Sequence, residues 1–158
     1  EIEKIEVGVT KNASQRITGV YPHSIESAKF SMPYIGAWTL IHGAPSLATF
    51  TEKAIDDAAV KALSMKISHH VDAEFADELL HSPGRVVVTM KNGERREKKV
   101  WYASGTVQNP MSSAQIESKF MDCATHALSQ QKARRLYAGL ADLPKQTSFE
   151  PFWPMLKG

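Results

Sequence analysis

An Asn-Gly pair between two strand-like runs is the feature that most limits how this chain can fold. Residues 85–90 are rich in valine, Asn92 and Gly93 follow, and a charged run continues from 94 to 102. Asn-Gly is strongly favoured in a two-residue type I′ turn between antiparallel strands. The sequence therefore predicts a hairpin here. Its returning strand interleaves both signs of charge, which is typical of an exposed edge that resists aggregation.

Two further strands and several helices are predicted around this hairpin. Residues 2–9 and 65–72 alternate apolar and polar side chains, so each predicts a strand with one face in the core. Residues 11–19 are polar and predict a loop. Capping residues and apolar spacing predict helical segments over 32–42, 51–55, 58–64, 113–129 and 131–140.

This order of elements favours an α+β fold. We expect a two-layer sandwich, in which an antiparallel or mixed sheet of about four strands carries helices packed on one face. At 158 residues the chain is the size of one ordinary domain, so a single domain over residues 1–158 is predicted.

Composition excludes several classes of protein. Hydrophobic residues make up 42% of the chain and charged residues 23%, as in globular proteins, and no apolar run is long enough to span a bilayer. A net charge of +2 gives no field that would attract nucleic acid or a membrane, so neither partner is predicted. One cysteine and no visible signal peptide favour a cytoplasmic location.

The C-terminal third predicts a capped helix and an aromatic tail. Ser112 and Gln115 have the spacing of a capping box, and the helix that follows carries an apolar stripe that includes Cys123. Cys123 is therefore predicted to be a small core residue rather than a nucleophile. The tail residues Phe149, Phe152 and Trp153 lack periodicity and are predicted to dock on a surface, either the chain's own or a neighbour's.

Local motifs for phosphate binding, serine hydrolysis and zinc binding are missing from the sequence, and the six histidines lack ligand-like spacing. No metal and no cofactor are predicted. Asp72 and Glu74 could form a carboxylate pair, but their place at the end of a strand favours solvated charges.

The segment 21–43 combines a polar head with an apolar helix. Ser31 is the predicted N-cap, Gly43 suits the left-handed end of the helix, and one helical face is predicted to lie in the core: Tyr34, Trp38 and Ile41.

The polar head of this segment holds the candidate site residues. His23 could move a proton near neutral pH and is the candidate for catalysis. Lys29, Ser31 and Tyr34 are the candidates for substrate binding, because a cation and helix-end amides suit a carboxylate. The alternative is structural: Glu26 pairs with Lys29, and Ser31 caps the helix.

Two blocks of sequence resemble those of a known family. Residues 23–34, HSIESAKFSMPY, resemble the H-x-x-E-A-[KR]-F-S-x-x-Y block of the MmgE/PrpD family, and residues 105–112, GTVQNPMS, followed by Lys119-Phe120, resemble its G-x-P-x-N-P-L-S/T…K-F block. Val107 stands where the family often has proline. The blocks flank the predicted hairpin, so the resemblance covers nearly the whole chain.

This resemblance implies an enzymatic role. The family includes 2-methylcitrate dehydratase, cis-aconitate decarboxylase and iminodisuccinate epimerase, which act on small di- and tricarboxylic acids by proton transfer and without an iron-sulfur cluster. Its members have a large helical domain and a smaller α+β domain, and they tend to be homodimers. The chain is similar to the smaller, C-terminal domain, so most catalytic histidines and lysines would lie in a helical domain outside it. The chain alone is then expected to be inactive.

A second hypothesis is a stand-alone α+β binding module for a protein or nucleic-acid partner. It rests on the basic cluster of the returning strand and on the aromatic tail. The cluster comprises Arg95, Arg96, Lys98 and Lys99. Its mixed surroundings of both charges weigh against nucleic acid.

Overall fold

The alternating runs form a mixed four-stranded sheet. The computed structural model describes residues 1–75, 81–145 and 147–156 and divides the chain into two compact units, Glu1–Asn109 and Pro110–Gly158. In the first unit the strands follow the order β2-β1-β3-β4, with β1 and β2 parallel and the other neighbours antiparallel. Their bounds are β1 Ile2–Val9, β2 Ile67–Val71, β3 Gly84–Met90 and β4 Arg95–Val100.

Helices pack on one face of this sheet. The core joins Ile5 and Val7 of β1 and Ile67 of β2 to Tyr34 of α3 and Val60 of α5. The α+β class and the mixed four-stranded sheet are therefore confirmed. The helical elements of this unit are α1 Lys11–Ser14, α2 Ile25–Ala28, α3 Met32–His42, a 3₁₀ turn at Leu47–Thr49, α4 Glu52–Ile55 and α5 Ala58–Ser64.

The hairpin forms, but the prediction of a type I′ turn is wrong. That turn needs positive φ at both central residues, whereas Gly93 has φ 84° and the described residues other than glycine have no positive φ. The N–H of Gly93 donates to Met90 O at 2.9 Å, and the N–H of Met90 donates to Glu94 O at 2.8 Å. The result is a three-residue loop, in which the Asn92 side chain accepts the N–H of Glu94.

Three local predictions in the first unit are corrected. Residues 11–14 are helical, because the Thr10 hydroxyl caps the Ala13 N–H at 3.1 Å. Strand β2 begins at Ile67, since Met65 is the C-cap of α5 and is 84% exposed. Ile41 is exposed and not in the core, because α3 buries side chains only before its last turn, at Pro33, Tyr34 and Ala37.

The second unit consists of helices alone in its described residues. Helix α7 buries Ala133 and Leu136, and Phe152 packs on Gly139 so closely that a Cβ there would lie 2.6 Å from the ring. Of the three tail residues predicted to dock, Phe152 therefore lies on the chain's own helix, whereas Phe149 and Trp153 are exposed. The elements are α6 Ser113–Ala124, α7 Gln130–Ala141, 3₁₀ turns at Leu143–Lys145 and Glu150–Phe152, and α8 Trp153–Leu156.

The prediction that Cys123 is a core residue is wrong. Its thiol is exposed, and Ile116 on the same predicted stripe is 49% exposed. Helix α6 contacts α7 through other side chains: the Phe120 ring lies 5.4 Å from that of Tyr137. The helix also ends five residues before the predicted position, because the chain turns and Ser129 caps α7. None of the described helices is long and apolar enough to cross a membrane.

Candidate functional site

The loop that carries His23 is built around two serines. Ser24 and Ser27 form a reciprocal capping box on the single turn α2: the N–H of Ser27 donates to Ser24 Oγ at 3.2 Å, and the N–H of Ser24 donates to Ser27 Oγ at 3.0 Å. Ser27 Oγ also accepts the N–H of His23 at 3.1 Å. The backbone around His23 is therefore held by local hydrogen bonds.

The same loop is tied to the body of the first unit at both ends. The Ser31 hydroxyl donates to Val20 O at 2.7 Å, and the Tyr21 hydroxyl donates to Ile55 O at 2.7 Å. The N–H of Thr18 donates to Phe30 O at 2.7 Å. Burial, with Tyr34, Asp57 and Asp56 nearby, raises the pKa of Tyr21 to about 12, so its hydroxyl keeps the proton that it donates.

Ser31 and Tyr34, two of the predicted substrate-binding residues, lie beneath the surface. Ser31 is 1% exposed and caps α3, where its hydroxyl accepts the N–H of Tyr34. Tyr34 is fully buried, its hydroxyl donates to Thr49 O at 2.5 Å, and burial raises its pKa. Both side chains bind backbone groups of their own unit, and for Ser31 this is the helix cap of the structural alternative. Their contact with a substrate stays a prediction.

His23 and Lys29 are both exposed, but they take different positions in the structure. His23 lines a pocket of about 440 Å³ between α2 and α4, whereas Lys29 forms the C-cap of α2 and is not among the lining residues. The predicted ion pair between Glu26 and Lys29 does not appear among the salt bridges of the described residues, although the Lys29 charge acts on Glu26. The pocket is lined by His23, Ser24, Ile25, Glu26, Glu52, Ile55 and Asp56.

This pocket has an acidic wall. Glu26, Glu52 and Asp56 contribute carboxylates, and His23 is the basic group among the lining residues. The pKa of Glu26 lies below its ordinary value, first because its own backbone N–H binds the carboxylate and then because of the Ser24 hydroxyl and the Lys29 charge. Asp56 is paired with Lys61 at 2.9 Å. An imidazole in this wall can exchange a proton, but the wall does not by itself attract a polyanion.

A second group of charged side chains lies on the face of the sheet opposite the helices. Arg85 of β3 binds three carboxylates: Asp72 at 2.8 Å, Glu97 at 2.9 Å, and Glu74. Lys99 also binds Glu74 and lies 4.8 Å from the centre of the Trp101 ring. Asp72 and Glu74 are thus ion-paired rather than simply solvated, which corrects the prediction for them. We call these five charged residues the Arg85 cluster.

No set of three or more His, Cys, Asp or Glu side chains in the described part of the chain is placed to hold a metal ion.

Comparison with known families settles the class of this protein. The model of the MmgE/PrpD C-terminal domain matches residues 1–143, most of the chain. The chain belongs to the MmgE/PrpD family. Members of this family are generally enzymes. A search of curated protein sequences finds no significant match.

The two MmgE/PrpD blocks occupy well-defined structures. The first, residues 23–34, is the loop, α2 and the start of α3 that bear the candidate site. The second begins with a tight turn, in which the N–H of Gly105, at φ 93°, donates to Asn109 O at 2.8 Å. Val107 is 92% exposed in this turn, which closes without the proline that the family often has there.

Sequence reasoning missed two pocket residues and one residue that holds the loop. Glu52 and Asp56 reach the pocket because α4 packs beside α2, a contact between segments about 30 residues apart that no local pattern encodes. Ser27 could have been found, because Ser24 and Ser27 have capping-box spacing before an MmgE/PrpD block.

Proposed function

We propose that this MmgE/PrpD domain forms one wall of the active-site cleft in an enzyme that acts on a small di- or tricarboxylic acid by proton transfer. The enzyme would be a 2-methylcitrate dehydratase-like lyase or a related isomerase or decarboxylase. A helical domain of the same polypeptide would supply the second wall, and the enzyme would be a cytoplasmic homodimer.

The observation that carries this proposal is the position of His23. Its imidazole is exposed at a pocket of about 440 Å³, its backbone is held by hydrogen bonds, and it lies in a block shared with the family. A neutral imidazole accepts a proton from the carbon beside a carboxylate, and the imidazolium returns one, near neutral pH.

The acidic wall determines how the substrate would lie. Glu26, Glu52 and Asp56 repel carboxylates, so the anionic groups of the substrate would turn toward Lys29 and toward cations of the helical domain. The carbon that gives up its proton would then face His23. Ser31 and Tyr34 would act from beneath, by fixing the loop and α3.

The test is the kinetics of His23→Ala in the full-length protein, with 2-methylcitrate, cis-aconitate and iminodisuccinate as substrates. We expect kcat to fall about 100-fold or more, the usual contribution of a general acid or base, with an unchanged circular dichroism spectrum. His126→Ala, which alters an exposed histidine of the second unit, is the control. Unchanged kinetics in His23→Ala would move proton transfer to the helical domain, and absence of turnover with all three acids would contradict the proposal.

The binding-module hypothesis has one supporting observation, a fully exposed β4 edge with four cations. Two of these, Arg96 and Lys99, are already paired with Glu94 and Glu74. Fluorescence anisotropy with a single-stranded RNA at low salt would test this hypothesis, because phosphate contacts weaken as salt rises. Tight, salt-sensitive binding would favour the module over the enzyme.

A further inference from the structure

We infer that Ser27 is a positioning residue for His23. This inference rests on the proposed function, because it gives Ser27 a part in proton transfer that acts through the imidazole. The Ser27 side chain does not line the pocket. It acts on the backbone that bears His23.

The geometry of the Ser27 hydroxyl carries the inference. Its oxygen accepts the N–H of His23 at 3.1 Å and the N–H of Ser24 at 3.0 Å, and it donates to Ser24 O at 2.9 Å. The two N–H groups belong to the two peptide planes that flank the His23 Cα. One oxygen therefore restrains both backbone dihedrals of His23, and with them the direction of the Cα–Cβ bond from which the imidazole extends.

A helix cap alone does not require this arrangement. A reciprocal capping box needs the bonds between Ser24 and Ser27, and the bond from His23 is additional. Helix α2 is a single turn of four residues, a length that has little stability of its own. The additional bond orders His23 more than it orders the helix.

The backbone on both sides of this bond is anchored. Pro22 is buried, and its neighbour Tyr21 binds Ile55 O. Ala28, the residue after Ser27, is fully buried in the core. Ser27 therefore holds His23 from a part of the chain that cannot shift easily, and loss of its hydroxyl should free the His23 backbone without unfolding the unit.

The first test is nuclear magnetic resonance relaxation and amide exchange in Ser27→Ala and Ser27→Thr. In Ser27→Ala we expect the backbone order parameter of His23 to fall below about 0.6, the range of flexible residues. We also expect the amides of His23 and Ser24 to exchange about fivefold faster, as loss of one hydrogen bond implies. Ser27→Thr, which keeps the hydroxyl, should restore both values.

Ser46→Ala is the matched control, because Ser46 caps the Leu47–Thr49 turn by accepting the N–H of Ala48 at 3.2 Å. It should leave His23 unchanged. An order parameter at His23 that stays the same in Ser27→Ala would overturn the inference, and so would an equal fall in Ser46→Ala.

The second test is a double-mutant cycle in the full-length protein. Ser27→Ala should lower kcat about tenfold with KM changed less than about twofold, whereas in the His23→Ala background it should have almost no further effect. Losses that multiply independently would overturn the positioning role. Failure of the proposed function would look different: no turnover by the unsubstituted protein, or no effect of His23→Ala. Either result would remove Ser27 from proton transfer, and the order parameter of His23 would still decide whether Ser27 holds the His23 backbone.

Discussion

The His23 loop and the Arg85 cluster are both rich in charge, but their bonds differ in kind. In the loop, hydroxyls bind backbone groups, and the ionisable side chains of His23, Glu26 and Lys29 stay at the surface. In the cluster, the charged side chains bind one another, with Arg85 at the centre. Charges that pair with one another hold a fold together, whereas ionisable side chains at the surface of a fixed backbone can act on a ligand.

The largest effect on stability should come from Asp72→Ala, which attacks the cluster. The Asp72 side chain is 12% exposed and is the least exposed partner of Arg85. Its removal leaves a partly buried guanidinium without that partner and deletes the bond from the Glu74 N–H at 2.9 Å. Because Arg85 keeps Glu74 and Glu97, we expect a loss of about 2 kcal/mol in the free energy of unfolding, measured by urea denaturation, with little change at the His23 loop.

Asp56→Ala is the control for this prediction. Asp56 is also ion-paired, with Lys61 at 2.9 Å, but its side chain is 76% exposed. Exposed pairs contribute little, so we expect a loss below about 0.5 kcal/mol. Equal losses in the two variants would show that the Arg85 cluster is no more structural than an ordinary surface pair.

Ser31→Ala should have an intermediate effect, confined to the other region. It removes the N-cap of α3 and the bond to Val20 O, both made by a buried hydroxyl. We expect a loss of about 1–2 kcal/mol in the free energy of unfolding and faster amide exchange around Val20. Ser68→Ala, at an exposed position of β2, is the control and should change stability by less than about 0.5 kcal/mol. If the amides of β3 also exchanged faster in Ser31→Ala, the loop and the cluster would not be independent of each other.

Much of the fold followed from local patterns. Alternating apolar residues located β1 and, with a start two residues too early, β2, whereas the valine-rich run and the Asn-Gly pair located β3 and β4. Caps such as Ser31 and Ser112 located the starts of helices α3 and α6. The parallel pairing of β1 with β2 could not be predicted from local patterns. Strands separated by about 60 residues are paired by the packing of the helices between them. The prediction of a two-residue turn at Asn92-Gly93 was wrong for a local reason. The Asn92 side chain accepts the N–H of Glu94, two residues further on, and this bond also stabilises a three-residue loop.

The candidate site was predictable only in part. His23 lies in a polar run before a capped helix, and that pattern marked it before any tertiary contact was known. Its acidic neighbours across the pocket come from α4, and the ion partners of Arg85 come from two separate segments, residues 72–74 after β2 and strand β4. Charge patterns along the chain do not show which opposite charges meet, because the meeting depends on strand register and helix packing.

The smallest predicted effect is on the free energy of unfolding at acid pH. It distinguishes Glu74 of the Arg85 cluster from an ordinary surface carboxylate. The pKa of Glu74 lies below its ordinary value of 4.5, chiefly because Lys99 binds its carboxylate and also because Arg85 does. A group with a lowered pKa in the folded state stabilises the fold above its unfolded pKa, and that stabilisation is lost as pH falls through the folded pKa. From pH 4.5 downward, the free energy of unfolding should therefore decrease with a shallower slope in Glu74→Gln than in the unsubstituted protein, as urea denaturation at a series of pH values can measure. Ser68→Ala, which removes no titratable group from an exposed position of β2, should keep the original slope. If Glu74→Gln kept the original slope too, the Glu74 carboxylate would not be bound by Lys99 and Arg85 in solution. The contrast between the ion-paired charges of the Arg85 cluster and the surface charges of the His23 loop would then lose its strongest support.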